Sequence, residues 1–416
     1  MSKRHLVTPL LALLMVGAAA CGSGKSSTSS SATTVAGGTG AGAVKPVTIA
    51  LGGPFSGSEA PTGNQIRAGA KLAVDQLNAA GGVKAGPLKG ATIALKEFDD
   101  ADDPARAAAN VRTMVDDSSV LAFVGSGLSD ASIAAAPVAS QGNFPYLAAY
   151  ASSEKILSAA TGAKSVFVVA PTFPAYAFSV VDELLKAGLK KPAIIHLSGT
   201  YGDGIAGLAV QRLKDKNVTA VANESFTFTD TQFGTQLAKI KAASPDSLIM
   251  VGLADSDALI LKQADGLGLR IPAFDPGGIT NSATFLSDAG PLAEGVVGNS
   301  PTDAARNTPA AKALRDSYTA ATKESFVPDP AVFAYEGVQA VAAALADGAT
   351  SRSTLVDHLH SISIADTGVG PLKFAADGSR IGGRLYIFKV KDGKPVVSTA
   401  YEQTGPAEVK EVPLDR

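Results

Sequence analysis

From Val47 onward the chain alternates short, β-branched apolar runs with longer stretches of helical period, and this alternation limits what it can fold into. VTIALGG (47–53) reads as a buried strand ending in glycines. GNQIRAGAKLAVDQLNAAGG (63–82) sets Ile66, Ala70, Ala73 and Leu77 on one helical face and stops at Gly81-Gly82. ATIALKEFDD (91–100) is the next strand, and DDPARAAANVRTMVDD (102–117) is a helix with Asp103 as N-cap and Pro104 at its first position. VLAFVG (120–125), the helix SDASIAAAPVASQG and the strand FPYLAAY (144–150) complete a first set.

After VFVVA (166–170) the alternation restarts. Helix 176–189, strand PAIIHLS (192–198), helix 203–216, helix 233–244, strand SLIMVG (247–252) and helix 258–269 follow. Helical segments 309–323 and 330–347 come later, and GPLKFAADG with GRLYIFKVKDGKP reads as a closing antiparallel hairpin. Strands alternating with helices predict parallel sheets covered by helices on both faces. Two successive sets predict two such lobes. Ligands of open α/β sheets bind beyond the carboxyl ends of the strands, so two facing lobes make a cleft.

The N-terminal flank is different in kind. MSKRH is basic, Leu6–Ala20 is uncharged, and Ala18-Ala19-Ala20 precede Cys21, the only cysteine. This pattern describes a secretory signal, too short and interrupted by Pro9 to be a membrane span. It resembles a bacterial lipobox, which makes residues 1–20 a signal peptide and Cys21 a diacylated new N-terminus. Each buried methylene adds roughly 0.8 kcal/mol, so two or more chains anchor stably. GSGKSS after Cys21 imitates a phosphate loop, but the position of the first Walker glycine is Ala19 and no strand precedes it. Residues 21–45 read as a Ser/Thr/Gly/Ala tether of roughly 25–30 Å root-mean-square span.

Composition narrows the function of the remaining body. It is 46% hydrophobic overall, with 36 basic against 38 acidic residues and no long basic run, which argues against a nucleic-acid partner. No cysteine follows Cys21, so disulfides, thiolate metal sites and a cysteine nucleophile are excluded there. DDADD (99–103) lacks the ligand spacing of an EF-hand and reads as a strand end with a helix cap. His358 and His360 are two apart on a helix and point to different faces, so no zinc site is expected there. The reading calls for no cofactor and no metal.

Two places carry binding chemistry. GSGLSDAS puts glycines at a strand end and hydroxyls at a helix start, where free N–H groups and the positive dipole end favour an anion. Ser129 stands there, and Tyr150-Ala151-Ser152 repeats the arrangement after the fourth strand. Both serines also suit helix capping.

Taken in order, GGPFSGSEAPTG, NAAGGVK, EFDDADDP, GSGLSDAS, YASSEK, IIHLSGTYGDG, FDPGGITN, AEGVVG and GPLKFAADG resemble the type I periplasmic solute-binding proteins of ABC importers, in the leucine/isoleucine/valine-binding branch. The resemblance runs from about Val47 to Lys394. It implies an α/β fold of two doubly wound parallel-sheet lobes joined by a multi-strand hinge. Lobe 1 would comprise residues 46–172 and 300–366, and lobe 2 residues 173–299 and 367–416. In the family, residues matching Ser129, Tyr150 with Ala151 (backbone) and Ser152 hold an amino acid's carboxylate, and one matching Tyr201 closes over the ligand. Thr62 stands where the branch often carries a large aromatic, leaving more room or a more polar wall.

Departures fall on the ammonium side. The family's second-lobe carboxylate is Gly277 here, another falls near Pro174, and a family tyrosine falls at Leu253. Asp275 is either a substitute partner for the ammonium or a turn residue ahead of Pro276, and Asp203 is a weaker candidate. The expected ligand is therefore an amino acid, or a related carboxylate or amide. The expected protein is a non-enzymatic, monomeric, lipid-anchored binding module delivering its solute to an ABC permease. A sensing subunit on the same fold is the alternative. A dinucleotide enzyme is disfavoured because GSGLSD lacks the third glycine of that fingerprint.

Overall fold

The structure, a computed structural model, describes residues 44–162, 164–324 and 326–415; Cys21 and the segments read as a signal peptide and, up to residue 43, as a tether lie outside them. The predicted alternation is present. β1 (Val47–Gly53), α1 (Ala60–Ala79), β2 (Ile93–Asp99), α2 (Pro104–Asp116), β3 (Val120–Gly125), α3 (Ser129–Gln141), β4 (Tyr146–Ala148), α4 (Lys155–Ala159) and β5 (Val166–Val168) build the first half. Its parallel sheet has the order β2-β1-β3-β4-β5. α1 starts ahead of the predicted Gly63 because proline in the first turn supplies the helical φ. Asp103 caps α2 as expected, accepting from the Arg106 N–H at 2.9 Å.

The second half runs α5 (Phe173–Lys186), β6 (Pro192–Leu197), α6 (Thr200–Asp215), β7 (Ala222–Phe226), α7 (Gly234–Ala242), β8 (Ser247–Val251), α8 (Ala254–Gly266), β9 (Ala273–Asp275), α9 (Ala283–Ala289) and β10 (Val297–Ser300). The chain then adds α10 (Pro309–Thr322), α11 (Asp329–Asp347) and α12 (Arg352–Ser361) to the first half. It ends in β11 (Ile364–Thr367), β12 (Gly370–Phe374), β13 (Arg380–Ile381), β14 (Arg384–Lys391), β15 (Lys394–Gly405) and β16 (Glu408–Val412). The second sheet is β16-β15-β14-β10-β9-β8-β6-β7, parallel from β10 to β7 and antiparallel beyond β10.

Both sheets bury two faces, which is why their strands read as continuous apolar runs. In β1, Ile49 and Leu51 join Ile66, Ala70, Phe333 and Val341 on one side, while Ala50 joins Val111, Met114 and Ala135 on the other. In β8, Ile249 and Val251 pack with α5 and α6, and Leu248 and Met250 with α7 and α8. Among the described residues no helix is long and apolar enough to cross a membrane.

The closing hairpin differs from the sequence reading. GPLKF is β12, which pairs with β11 and β13 in a separate sheet, and the hairpin is β14–β15. Asp392 (φ 52°) and Gly393 (φ 69°) form its turn, the two left-handed positions that match the strands' twist. Val369, Leu372 and Phe374 lie in the first half's core, so the second sheet takes up the chain only from Arg384 and not from residue 367.

Three stretches cross between the halves: Val169–Thr172, residues 301–308, and Gly382-Gly383. Buried Gln403 stitches two of them. Its side chain accepts from the Thr172 N–H at 3.0 Å and donates to Thr172 Oγ1 at 3.0 Å. Its backbone pairs with Gly382 N (2.8 Å) and Gly383 O (2.9 Å). Beneath the crossings Arg380 and Glu336, both fully buried, form an ion pair at 2.5 Å. Arg380 also donates to the carbonyls of Val169 (2.8 Å) and Pro371 (3.1 Å). Glu336 accepts from the Val369 N–H at 3.0 Å and from the Thr367 hydroxyl.

Candidate functional site

The carboxyl ends of the parallel strands of both sheets face one cavity of about 400 Å³, within the range of small-molecule sites. On the first half, β3 ends in Gly125 at φ 145°, where a Cβ would stand 2.3 Å from the Gly52 carbonyl. Only glycine fits, and the chain can then turn into α3. Asp100, 2% exposed, accepts from Ser126 Oγ at 2.7 Å and fixes that turn. Asp99 accepts from the Phe55 N–H (2.9 Å), Ser56 Oγ (2.6 Å) and Arg106 (2.8 Å). The acidic run thus holds the loops after β1 and β3 in place.

The first intrahelical bond of α3 runs from the Ser132 N–H to Leu128 O, so the N–H groups of Ser129, Asp130 and Ala131 have no partner within the helix. Tyr150, Ala151 and Ser152 lie in the irregular segment that joins β4 to α4. Ser129, Tyr150, Ala151 and Ser152 all line the cavity, so the structure brings the four expected first-half residues together. Neither serine hydroxyl is used as a helix cap. Leu128 precedes α3 with no side-chain cap, and Ser152 Oγ donates to its neighbour's carbonyl, Tyr150 O, at 3.1 Å.

On the second half, Tyr201 lies in the first turn of α6 and lines the cavity. Its hydroxyl donates toward Gly277 O (3.1 Å) and Gly252 O (3.3 Å), and its ring meets Phe173 edge-on at 6.1 Å. A Cβ on Gly277 would stand 2.3 Å from that hydroxyl. A carboxylate at 277 and Tyr201 in this position exclude one another. The missing side chain and the tyrosine's placement are one feature.

Three of the expected residues are not on the wall. Thr62 is absent from the cavity lining and donates to Glu59 Oε2 at 3.1 Å; Glu59 itself lines the cavity. Asp275 is fully buried, and the structure corrects its proposed ligand role. Its oxygens accept from the N–H groups of Gly277 (2.6 Å), Ile279 (2.9 Å) and Thr280 (2.8 Å) and from Thr280 Oγ1 (2.7 Å). It closes the turn after β9, leaving no lone pair aimed at a solute. Burial pushes its carboxyl up to about 6, against the pull of those donors. Asp203 is also off the wall: exposed, it accepts from the Gly199 N–H at 3.1 Å. Leu253, by contrast, lines the cavity and is 38% exposed.

Sequence reasoning missed Asp102, Asp130 and Asp329 on the first-half wall, and Tyr176 and Phe228 on the other. The hydroxyl of Thr200 donates to Asp130 Oδ1, so the rims touch across the opening. Burial, with Glu59, Asp100 and Asp130 nearby, pushes the Asp102 carboxyl up to about 6. Burial alone pushes Asp329 up to about 7, although Thr302 Oγ1 donates to its Oδ1 at 2.9 Å. Nothing in the sequence distinguishes Asp329 from an ordinary acid in the first turn of a helix.

The model of the periplasmic binding protein family matches residues 46–395. A Leu/Ile/Val-binding protein homolog 3 of Brucella melitensis is 27% identical over 355 residues, covering 84% of this chain and 93% of that protein. The branched-chain amino acid transporter substrate binding protein LivJ of Streptococcus pneumoniae, solved with isoleucine, is 26% identical with a TM-score of 0.72, covering 88% of this chain and 100% of that one. A solute binding protein from Rhodopseudomonas palustris, solved with 3,4-dihydroxybenzoic acid, shares the fold at a TM-score of 0.73 and 22% identity, covering 87% and 98%.

Proposed function

The chain belongs to the periplasmic binding protein family, and from that premise we propose that it captures a small organic acid, of amino-acid size, between its two halves and hands it to an ABC permease. The relatives are binding proteins, and the family works outside the cytoplasm. Lipid on Cys21 would tether the body to the outer face of the membrane through residues 21–45, keeping it near its permease.

The observation that carries the reading is a cavity walled by strand ends of both sheets, where the N-terminal N–H groups of α3 and the Tyr150–Ser152 segment meet on the first half. Ser129, Tyr150, Ala151 and Ser152 receive the carboxylate there, where the peptide dipoles favour negative charge. Tyr201 and Phe173 cover it from the second half, so a ligand touching both sides favours the closed arrangement. The solute is the cargo, and the wall residues bind and orient it.

A thermal-shift screen of the purified protein against amino acids and small carboxylates tests this. A ligand at 100 times its dissociation constant adds about 2.7 kcal/mol. A hit that vanishes in Ser152→Ala, or weakens tenfold or more, supports the reading. A screen in which no compound raises the melting temperature, or in which a hit is indifferent to Ser129, Ser152 and Tyr201, overturns it.

A further inference from the structure

The cavity wall is one-sided in charge. Glu59, Asp102, Asp130 and Asp329 line it, and among the described residues no lysine, arginine or histidine does. All four acids come from the first half. The second-half wall carries no charge, since Gly277 is bare and Asp275 spends both oxygens on its own turn. Asp257 is fully buried behind Gly252, where a Cβ would meet its Oδ1 at 2.2 Å. Asp130 is engaged by Thr200 and Glu59 by Thr62.

Asp329 differs from Asp130 and Glu59, which other side chains engage. It sits in the first turn of α11, half-buried, with Oδ1 held by Thr302 and no hydrogen bond to Oδ2 among the described residues. Its charge bears on the phenols of Tyr150 and Tyr176, both of which line the same cavity. Tyr150 also belongs to the carboxylate-binding segment. Lys323 and Glu324 border an adjoining cavity that shares Asp329, but the Lys323 ammonium donates to Ala320 O at 2.9 Å. Among the described residues no protein cation is therefore paired with Asp329. A partly desolvated carboxylate that shares a cavity wall with two aromatic side chains offers an ammonium group both a counter-charge and aromatic faces.

We propose that Asp329 is the counter-charge for an amino group on the captured solute, supplied by the first half where relatives of this architecture would be sought to supply it from the second. The inference rests on the binding reading above. Both charged ends of the solute are then held by one half, and closure adds only aromatic and apolar cover.

The test is calorimetry on the purified full chain with L-leucine and the other common L-amino acids, 4-methylpentanoate (no amino group) and 3-methylbutylamine (no carboxylate). The expected result is an amino acid binding on the order of 100-fold more tightly than its deaminated counterpart. Asp329→Asn is expected to shrink that ratio below tenfold, and Asp329→Glu to keep part of it, a split that a merely structural role would not produce. If the deaminated acid binds as tightly in the native protein, the proposal falls while the capture function stands. It falls equally if Asp329→Asn weakens both compounds in proportion. If no compound of any of the three kinds binds, both the proposal and the organic-acid reading are wrong.

Discussion

Replacing Arg380 by methionine is the sharpest probe of how the crossings are held. The guanidinium and Glu336 are both fully buried and 2.5 Å apart, and Arg380 also serves the carbonyls of Val169 and Pro371. Removing it leaves Glu336 buried with only the Thr367 hydroxyl and the Val369 N–H. Stranding one member of such a pair costs about 3–5 kcal/mol. At a urea dependence of about 3 kcal/mol per molar, that moves the unfolding midpoint down by roughly 1–2 M. Glu336→Gln should cost a similar amount, because it keeps the shape and strands the arginine. The double variant Glu336→Leu/Arg380→Met should recover only part of the loss. The carbonyls of Val169 and Pro371 lose the bonds Arg380 gave them, and the Val369 N–H keeps only its 3.4 Å contact to Thr367 Oγ1, at about 1–3 kcal/mol each. Urea melts followed by circular dichroism would read all three. A single variant losing less than 1 kcal/mol, or a double variant as stable as the native protein, would refute the reasoning.

Two further outcomes follow from the cavity wall. Burial lifts the Asp329 carboxyl from about 4 in the unfolded chain to about 7 in the fold. Its contribution to stability is therefore complete below pH 4 and lost as pH rises through 7. Discounted for its contact with solvent, Asp329→Asn should make the ligand-free protein about 1–2 kcal/mol more stable at pH 8 and no more stable at pH 4, as read by melts at both pH values. Gly277→Ala places a Cβ on the Tyr201 hydroxyl, 2.3 Å away. Tenfold or greater weakening of ligand is expected, measured by calorimetry, with little change in unfolding midpoint.

What could be read in advance divides along physical lines. The long elements and the two-sheet plan were legible because burial on both faces leaves an uninterrupted apolar run, and because Asp103-Pro104 spells a helix start. Strands β7, β9 and β10 were not, being three to five residues long and carrying polar residues within them. A closing hairpin was expected between GPLKFAADG and GRLYIFKVKDGKP, but the Asp-Gly at 392–393 makes the turn and the partner strand lies beyond it. For the site, the glycines at the end of β3 announced the helix tip at Ser129, since such geometry has a sequence cost, while Ser152 was tied to the same ligand only through the resemblance. Asp275 and Asp329 could not be sorted. Whether a carboxylate faces a cavity or folds back on its own turn depends on two or three backbone angles that composition does not encode.

Gln403 joins Thr172 to the Gly382-Gly383 crossing by four hydrogen bonds. Strands laced together in this way bend as a plate does, about one axis, and resist shear and swivel. On the capture reading, the approach of one sheet to the other is thereby narrowed to a single arc. A solute is measured by how far along that arc it lets the walls travel, and a substitution at 172 or 403, remote from any ligand atom, would reset the scale for every solute at once.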